Sequence, residues 1–538
     1  MTDSRFNLLD EPWIQVGTDD GAVVRVGMLE AVLGGERYTG LAQGLSTQRF
    51  AVLRLLLAFC HRALGGPRSA EDWLEYWEEG LPSGRIHEYA DRVRDRFWMQ
   101  HPTAPFFQTP GLQTKAGPEA GLRKIVPDLP DGEAYFTNRT AEDVARVHWA
   151  EAAELLVHLQ AYDTAGIKTG AVDDPWAKGG KGYGYGLPAW AGQIGGISAR
   201  GGDLRETLLL NLRPLPDITD DLPAWERGVP TSFRGSDPEY EPPVSGQIHL
   251  LTWQSRRVLL EWDGENAVGV MLCQGDRITP QVPPKSAIEG MTSWRYSKPQ
   301  SDRFGTNIFM PQQHDPARQA WRGVSRLLGL PEVVSRKGDV PPPVSALVEW
   351  LARVEDHLGA DLIRVELAGY EYGAQNATYA EVVDDSIGIP AALMVDGPAA
   401  EPWRAAVSHA VRSADEVAFV VRRLAENLAR CAGADQPDLP RWQERFHGAA
   451  DLAFRRWLAG LDPGGDLTSA RTDWQRTCRE LAWGIRGELL ASVGPNAYTG
   501  KAVDGDTPLT PALADIWFHA GLRKLLPLAF DETQETIR

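Results

Sequence analysis

The sequence predicts an α+β protein: a large mixed α/β N-terminal domain over residues 1–398, followed by an all-α C-terminal four-helix bundle over residues 399–538. Three observations carry this expectation. The chain has 538 residues, 43% of them hydrophobic, which is too long for one core and suggests about two or three domains. Up to Pro398, short strand-like runs alternate with segments of helical spacing and with stretches rich in Pro and Gly. After it come four long amphipathic segments, at about 402–431, 441–459, 467–492 and 510–527, punctuated by Pro437, Pro440, Pro463, Gly464, Gly465 and Pro495. That is the pattern of an antiparallel bundle.

Phe6–Val16 reads as a short strand after a turn, and Gly17–Gly21 as the hairpin into Ala22–Val26. Ser46–Arg62 reads as a helix, because Phe50, Leu53, Leu56, Leu57 and Cys60 recur at helical spacing. Trp73–Glu79 and His87–Trp98 read as helices with acidic faces. Residues 102–130 are rich in Pro and Gly, hence irregular. Thr140-Ala-Glu-Asp143 has the form of a capping box and predicts a helix through about Tyr162. Strands are expected at Ile248–Trp253, Val258–Trp262 and Val268–Leu272, and helices at Asp315–Leu328 and Val344–Leu358. Two more strands, Leu362–Gly369 and Tyr379–Val383, flank a turn-rich connection.

The formal charge is −18, which opposes non-specific coating of nucleic acid but permits a local basic groove, since charges beyond about 8 Å are largely screened in physiological salt. Arg outnumbers Lys 45 to 10, so each loop lysine draws notice. Cys60, Cys273, Cys431 and Cys478 contain no CxxC pair, and neither a disulfide framework nor a cysteine zinc site is expected. No apolar run approaches the ~20 residues of a membrane span. The opening residues lack a signal-peptide pattern, so a cytoplasmic location is the expectation.

The most informative stretch is Gly179-Gly180-Lys181-Gly182-Tyr183-Gly184-Tyr185-Gly186. Glycine tolerates positive φ and lets another surface approach the backbone. With a lysine and two tyrosines between the glycines, the run suits a loop lying against a polyanion, either a nucleotide phosphate or a nucleic-acid groove. It is not a phosphate-binding P-loop, because GxxxxGK[ST] is absent. Gly494 to Lys501 has one residue too many, and Ala502 stands where a hydroxyl is needed. Gly182-x-Gly184-x-Gly186 lacks the spacing of a dinucleotide fingerprint. His314-Asp315 is compatible with a metal-dependent HD-type phosphohydrolase, the alternative function, but no other histidine shows supporting spacing. No catalytic constellation is legible, and no cofactor or metal is implied.

Asn7-Leu-Leu-Asp-Glu-Pro-Trp-Ile14, His101-Pro102 with Pro105-Phe-Phe-Gln-Thr109, the glycine run, Arg200-Gly-Gly-Asp-Leu-Arg205 and Leu208-Leu-Leu-Asn211 occur in one order along the chain. Together they resemble the CasA family, the large subunit of the type I-E CRISPR surveillance complex Cascade, over essentially the whole length. The resemblance implies a non-catalytic subunit that reads the protospacer-adjacent motif (PAM) as duplex, begins strand separation and helps to recruit a helicase-nuclease. The implied partners are the handle-binding and backbone subunits of Cascade, its small-subunit dimer, CRISPR RNA and double-stranded target DNA, with no membrane.

The resemblance also implies residue roles. Gly180, Gly182, Gly184 and Gly186 match the family's glycine loop in the PAM minor groove, where a ~6 Å width favours backbone without Cβ. Lys181 departs from an all-glycine core and adds a candidate phosphate contact. Lys285, between Pro284 and Ser286, is the candidate lysine finger, with Lys298 as the fallback. Gln375 and Asn376, at a turn between two strands, match the glutamine wedge; opening one base step costs about 1–2 kcal/mol. Phe136 and Asn138 match the loop that meets the RNA handle and a neighbouring subunit. In the bundle, nine arginines against seven acidic residues over 404–456 make a locally positive stretch, most of it expected to be solvated helix face.

Overall fold

A computed structural model describes the chain except for residues 1–4, 130–136, 183–185, 216, 235–239, 281–287, 331–339, 341, 359–361, 395–396, 434–438, 500, 503–507 and 532–538. The chain divides into two compact units. One comprises residues 1–318, 333–357 and 364–386; the other comprises 319–332, 358–363 and 387–538.

The first unit is built around the helix Ser46–Leu64. It is apolar on nearly all sides, as suits a helix with neighbours all round it. Gly65, at φ 66°, ends it in a left-handed cap. The helices Ser83–Val93, Trp149–Tyr162 and Gln247–Leu251 pack against it. Two antiparallel sheets complete the core. In one, Arg256–Asp263 pairs with Asn266–Gln274 around Gly264, and the short strands Glu119–Ala120 and Val147–His148 join the second of these. In the other, the central strand Leu362–Tyr372 lies between Gly196–Arg200 and Tyr379–Pro390, with Gly196 opposite Ala368 and Arg200 opposite Arg364.

Three expectations are corrected. Ile248–Trp253 is not a strand: Gln247–Leu251 is helical, because the Asp221 carboxylate accepts the backbone N–H groups of Ile248 and His249 at 2.8 and 2.9 Å and so caps the segment from far upstream. The capping pattern at Thr140 forms its hydrogen bonds, with Asp143 accepting the Thr140 N–H and hydroxyl at 2.7 and 2.8 Å, but it closes a turn. Pairing of Val147–His148 with the sheet intervenes, and the helix starts at Trp149, capped by His148 Nδ1. The run expected to be helical over 315–328 contains only the 3₁₀ turn Ala320–Gly323 and the short helix Val324–Leu327, ended by Gly329 at φ 66°.

The second unit carries the four long helices: Glu401–Ala432, Pro440–Ala459, Leu467–Ala491 and Pro511–Leu525. The first packs on each of the other three, and the second on the third. Phe446, Phe454, Leu458, Trp474 and Cys478 fill the space between them. Trp474 anchors two helices by donating its indole N–H to the Ala410 carbonyl at 3.0 Å. The helix starts follow sequence rules: Asp466 accepts from Thr468 and Ser469, and Thr510 from Leu513. On this unit's surface Arg445 pairs with Glu488 at 2.8 Å and Arg455 with Asp451 at 2.8 Å, so part of the arginine-rich stretch is committed to ordinary surface pairs of low energetic weight. All four cysteines are buried and unpaired. No described helix is long and apolar enough to cross a membrane.

A candidate nucleic-acid interface

The glycine run begins as a β-hairpin. Ala177–Lys178 and Lys181–Gly182 are antiparallel, with Lys178 opposite Lys181, and Gly179 and Gly180 form the two-residue turn at φ 60° and 75°. Positive φ at both turn positions is the signature of a type I′ turn, which glycine adopts without steric cost. Lys168–Thr169 pairs along the other edge of Lys181–Gly182. Gly182 is buried, and a Cβ there would lie 3.1 Å from the Thr169 carbonyl oxygen and 3.6 Å from Gln274 Cγ. A side chain there would crowd the Thr169 backbone, so this position faces the protein's own interior. Gly180 and Gly186, by contrast, have nothing within 4 Å of a Cβ position. Lys178 and Lys181 are exposed. Lys168, Lys178 and Lys181 are three of only ten lysines in the chain, so the hairpin concentrates a scarce cation.

The turn between Tyr372 and Tyr379 holds the amide pair. Gly373 N–H donates to the Thr378 carbonyl at 2.9 Å, and Asn376 N–H to the Gly373 carbonyl at 3.0 Å. Gln375 and Asn376 sit at φ 56° and 55°, a conformation uncommon outside glycine and often found where function stores strain. Gln375 is exposed.

The two segments meet. Asn376 Nδ2 donates to the Gly186 carbonyl at 3.1 Å, and Ala165 N–H donates to the Asn376 carbonyl at 2.7 Å. The amide turn is thereby tied both to the end of the glycine run and to the segment that leads into its hairpin.

A buried polar platform supports them. Asp163 accepts from Lys168 Nζ at 2.9 and 3.0 Å and from Arg256 Nε, and its own carbonyl receives the Ala189 N–H at 2.8 Å. Burial alone would raise the Asp163 carboxyl, but the facing Lys168 and Arg256 cations outweigh it and keep the group ionised. The Tyr372 hydroxyl donates to the Tyr162 carbonyl at 2.7 Å, and Tyr370, Tyr372 and Tyr379 pack ring against ring at 4.5–5.9 Å. Asp163, Arg256 and Tyr372 are missing from the sequence-derived candidates, since a pair separated by 93 residues leaves no local pattern. The one available signal was lysine scarcity, which applies to Lys168.

The other sequence candidates fall elsewhere. Asn138 is exposed beside Thr137, whose hydroxyl donates to Asp128 at 3.1 Å. Gly184, Lys285 and Phe136 lie outside the described residues. Lys298 forms an exposed pair with Asp302 at 3.0 Å within one helix. The imidazole of His314 is engaged with the Gly196 carbonyl at 2.9 Å, and Asp315 accepts the Ala317 N–H at 2.9 Å. Both therefore serve local structure, and among the described residues no three His, Cys, Asp or Glu side chains gather as a metal site.

The fold defines a class. It is that of the solved Cse1 proteins: Cse1 of Thermobifida fusca is 37% identical, with a TM-score of 0.87 over 98% of this chain and 99% of that one. Cse1 of Acidimicrobium ferrooxidans is 25% identical, with a TM-score of 0.80 over 98% of both. The CRISPR-associated protein CasA/Cse1 of Thermus thermophilus is 28% identical over 553 residues, covering 92% of this chain and 99% of that protein. The family model for CRISPR-associated protein Cse1 matches residues 7–485, and this chain belongs to that family.

Proposed function

We propose that this chain is the non-catalytic large subunit of a CRISPR RNA-guided surveillance complex, and that residues 1–398 recognise the PAM duplex through its minor groove and start strand separation. The observation that carries the reading is the hydrogen bond from Asn376 to Gly186: the segment proposed to enter the groove and the one proposed to pry the first pairs apart share one support. Family membership favours the same role. A chain from a solved CRISPR RNA-guided surveillance complex shares the fold at 18% identity and a TM-score of 0.65. The 399–538 helices are proposed to face the small subunits and displaced strand, and a further surface to receive the helicase-nuclease. Energy for opening the duplex then comes from binding and RNA–DNA pairing.

Assembly of the complex with and without this chain tests the reading. The complete assembly is expected to distinguish PAM-bearing from PAM-lacking duplex, and the assembly without the chain to bind both alike. Equal discrimination by both assemblies would rule the role out. Within the complex, Lys285→Ala is expected to weaken PAM-duplex binding by roughly 1–3 kcal/mol, as a cation lost from a base edge does; an unchanged Kd in a titration removes Lys285 from the interface.

A further inference from the structure

The segment Pro105–Gln108 has no part in the duplex reading, yet it lines the wall of a cavity of about 130 Å³ in the first unit. Phe107, Trp225 and Trp253 supply aromatic surface there, and Arg96, Arg227 and Arg257 supply cations. Arg257 pairs with the Asp276 carboxylate at 2.6 Å, and Arg227 feels the Asp221 carboxylate at longer range. Arg96 donates to the Arg227 carbonyl at 2.9 Å, and Arg227 to the Leu222 carbonyl at 2.9 Å and to the Ser245 hydroxyl at 2.5 Å. One acid against three guanidinium groups leaves the cavity cationic, inside a chain whose formal charge is −18. His249 also lines it. Burial holds its imidazole down to about 3, so it stays neutral and leaves the positive charge to the arginines.

Phe107 is the unusual residue. It sits at φ 54°, a genuine outlier for a bulky side chain. Its neighbours hold it there. Phe106 N–H donates to the Trp98 carbonyl at 2.9 Å and Thr109 N–H to the Val258 carbonyl at 2.8 Å. The buried Gln108 amide donates to the Met99 carbonyl at 2.9 Å and accepts the Leu260 N–H at 3.0 Å. The strained conformation keeps the Phe107 ring only partly buried, stacked on Phe106 at 4.1 Å. Backbone strain maintained by its surroundings is characteristic of ligand clamps.

We infer that this cavity binds a mononucleotide unit, its flat base against the Phe107 and Trp253 surface and its phosphate on Arg96 and Arg227. Stacking on aromatic rings recognises any base, and guanidinium groups suit phosphate oxygens. The same chemistry is offered by a free nucleoside monophosphate or by the phosphorylated end of a single strand. None of the residues that line the cavity is among the proposed PAM contacts.

Calorimetric titration of the full chain tests it with adenosine 5′-monophosphate, adenosine, inorganic phosphate, and single-stranded oligonucleotides with and without a 5′-phosphate. The monophosphate, or the phosphorylated strand end in its place, is expected to bind saturably and about tenfold more tightly than adenosine, phosphate or the unphosphorylated strand. Preference for the free nucleotide or for the strand end identifies which source the site takes. Arg96→Gln is expected to reduce that affinity about tenfold, and Phe107→Gly, which removes the ring while relaxing the backbone, to abolish the preference over phosphate. Binding of neither probe to the unmodified chain, binding no tighter than phosphate alone, or binding unchanged in both folded variants would overturn the assignment. None of these titrations involves a PAM duplex, so their failure is separate from failure of the duplex reading.

Discussion

Glu289→Gln is expected to destabilise the first unit by about 3–5 kcal/mol, the penalty for leaving a buried charge without its partner. Arg54 and Glu289 form a bidentate pair at 3.0 and 2.9 Å with side chains 2% and 0% exposed. Glu289 also accepts the Trp190 indole N–H at 2.8 Å and the Met291 N–H at 3.0 Å. Glutamine keeps the shape, but it removes the charge and turns a donor toward groups that need an acceptor. Trp190 opens the turn a few residues beyond the glycine run, so the damage reaches the candidate interface. A lowered midpoint in thermal melts checks the effect, and an unchanged midpoint would contradict it. An apolar double replacement, Arg54→Met with Glu289→Leu, is expected to regain much of the loss. Burial by itself would raise the Glu289 carboxyl, but Arg54 and the two N–H donors outweigh it and hold it below its ordinary value. The pair's contribution is therefore complete above the unfolded value of about 4.3 and is lost as pH falls through the lower folded value. Glu289→Gln removes that dependence on the acid side.

Gln375→Gly is expected to separate stability from function. Gln375 occupies φ 56° and is exposed, so glycine relaxes the turn and leaves stability unchanged or raised by about 0.5–1 kcal/mol. The same change deletes the amide proposed to engage bases as they unstack. Initial PAM-duplex binding by the complex is expected to persist, while strand opening, followed by a base analogue that fluoresces when unstacked, slows about tenfold, as loss of a base-edge contact allows. Opening at the normal rate would remove Gln375 from the wedge role. A selective loss of PAM binding would instead place it among the duplex-reading groups.

Local patterns were legible where local physics decides the structure. The helix at Ser46–Leu64, the strands of the Gly264 hairpin and the four C-terminal helices follow from periodicity and from Gly and Pro punctuation. Ile248–Leu251 was not legible, since its helical state depends on a carboxylate some 27 residues away in sequence. The pattern at Thr140 made its expected hydrogen bonds, yet strand pairing at Val147 decided what followed. The glycine run was recognised for its lack of side chains, but sequence could not distinguish Gly182, pressed on the Thr169 carbonyl, from Gly180 and Gly186, which face open space.

By itself, the sequence determined the class of fold, the family resemblance and the short segments worth testing, because these reside in spacing and residue type over a few turns of chain. Tertiary structure decided which of those segments share a support and what holds them. The contact between Asn376 and Gly186 spans 190 residues, and Asp163 meets Arg256 across 93. Such contacts depend on how distant surfaces pack and on desolvated charges finding partners, and neither leaves a trace in any window of the sequence.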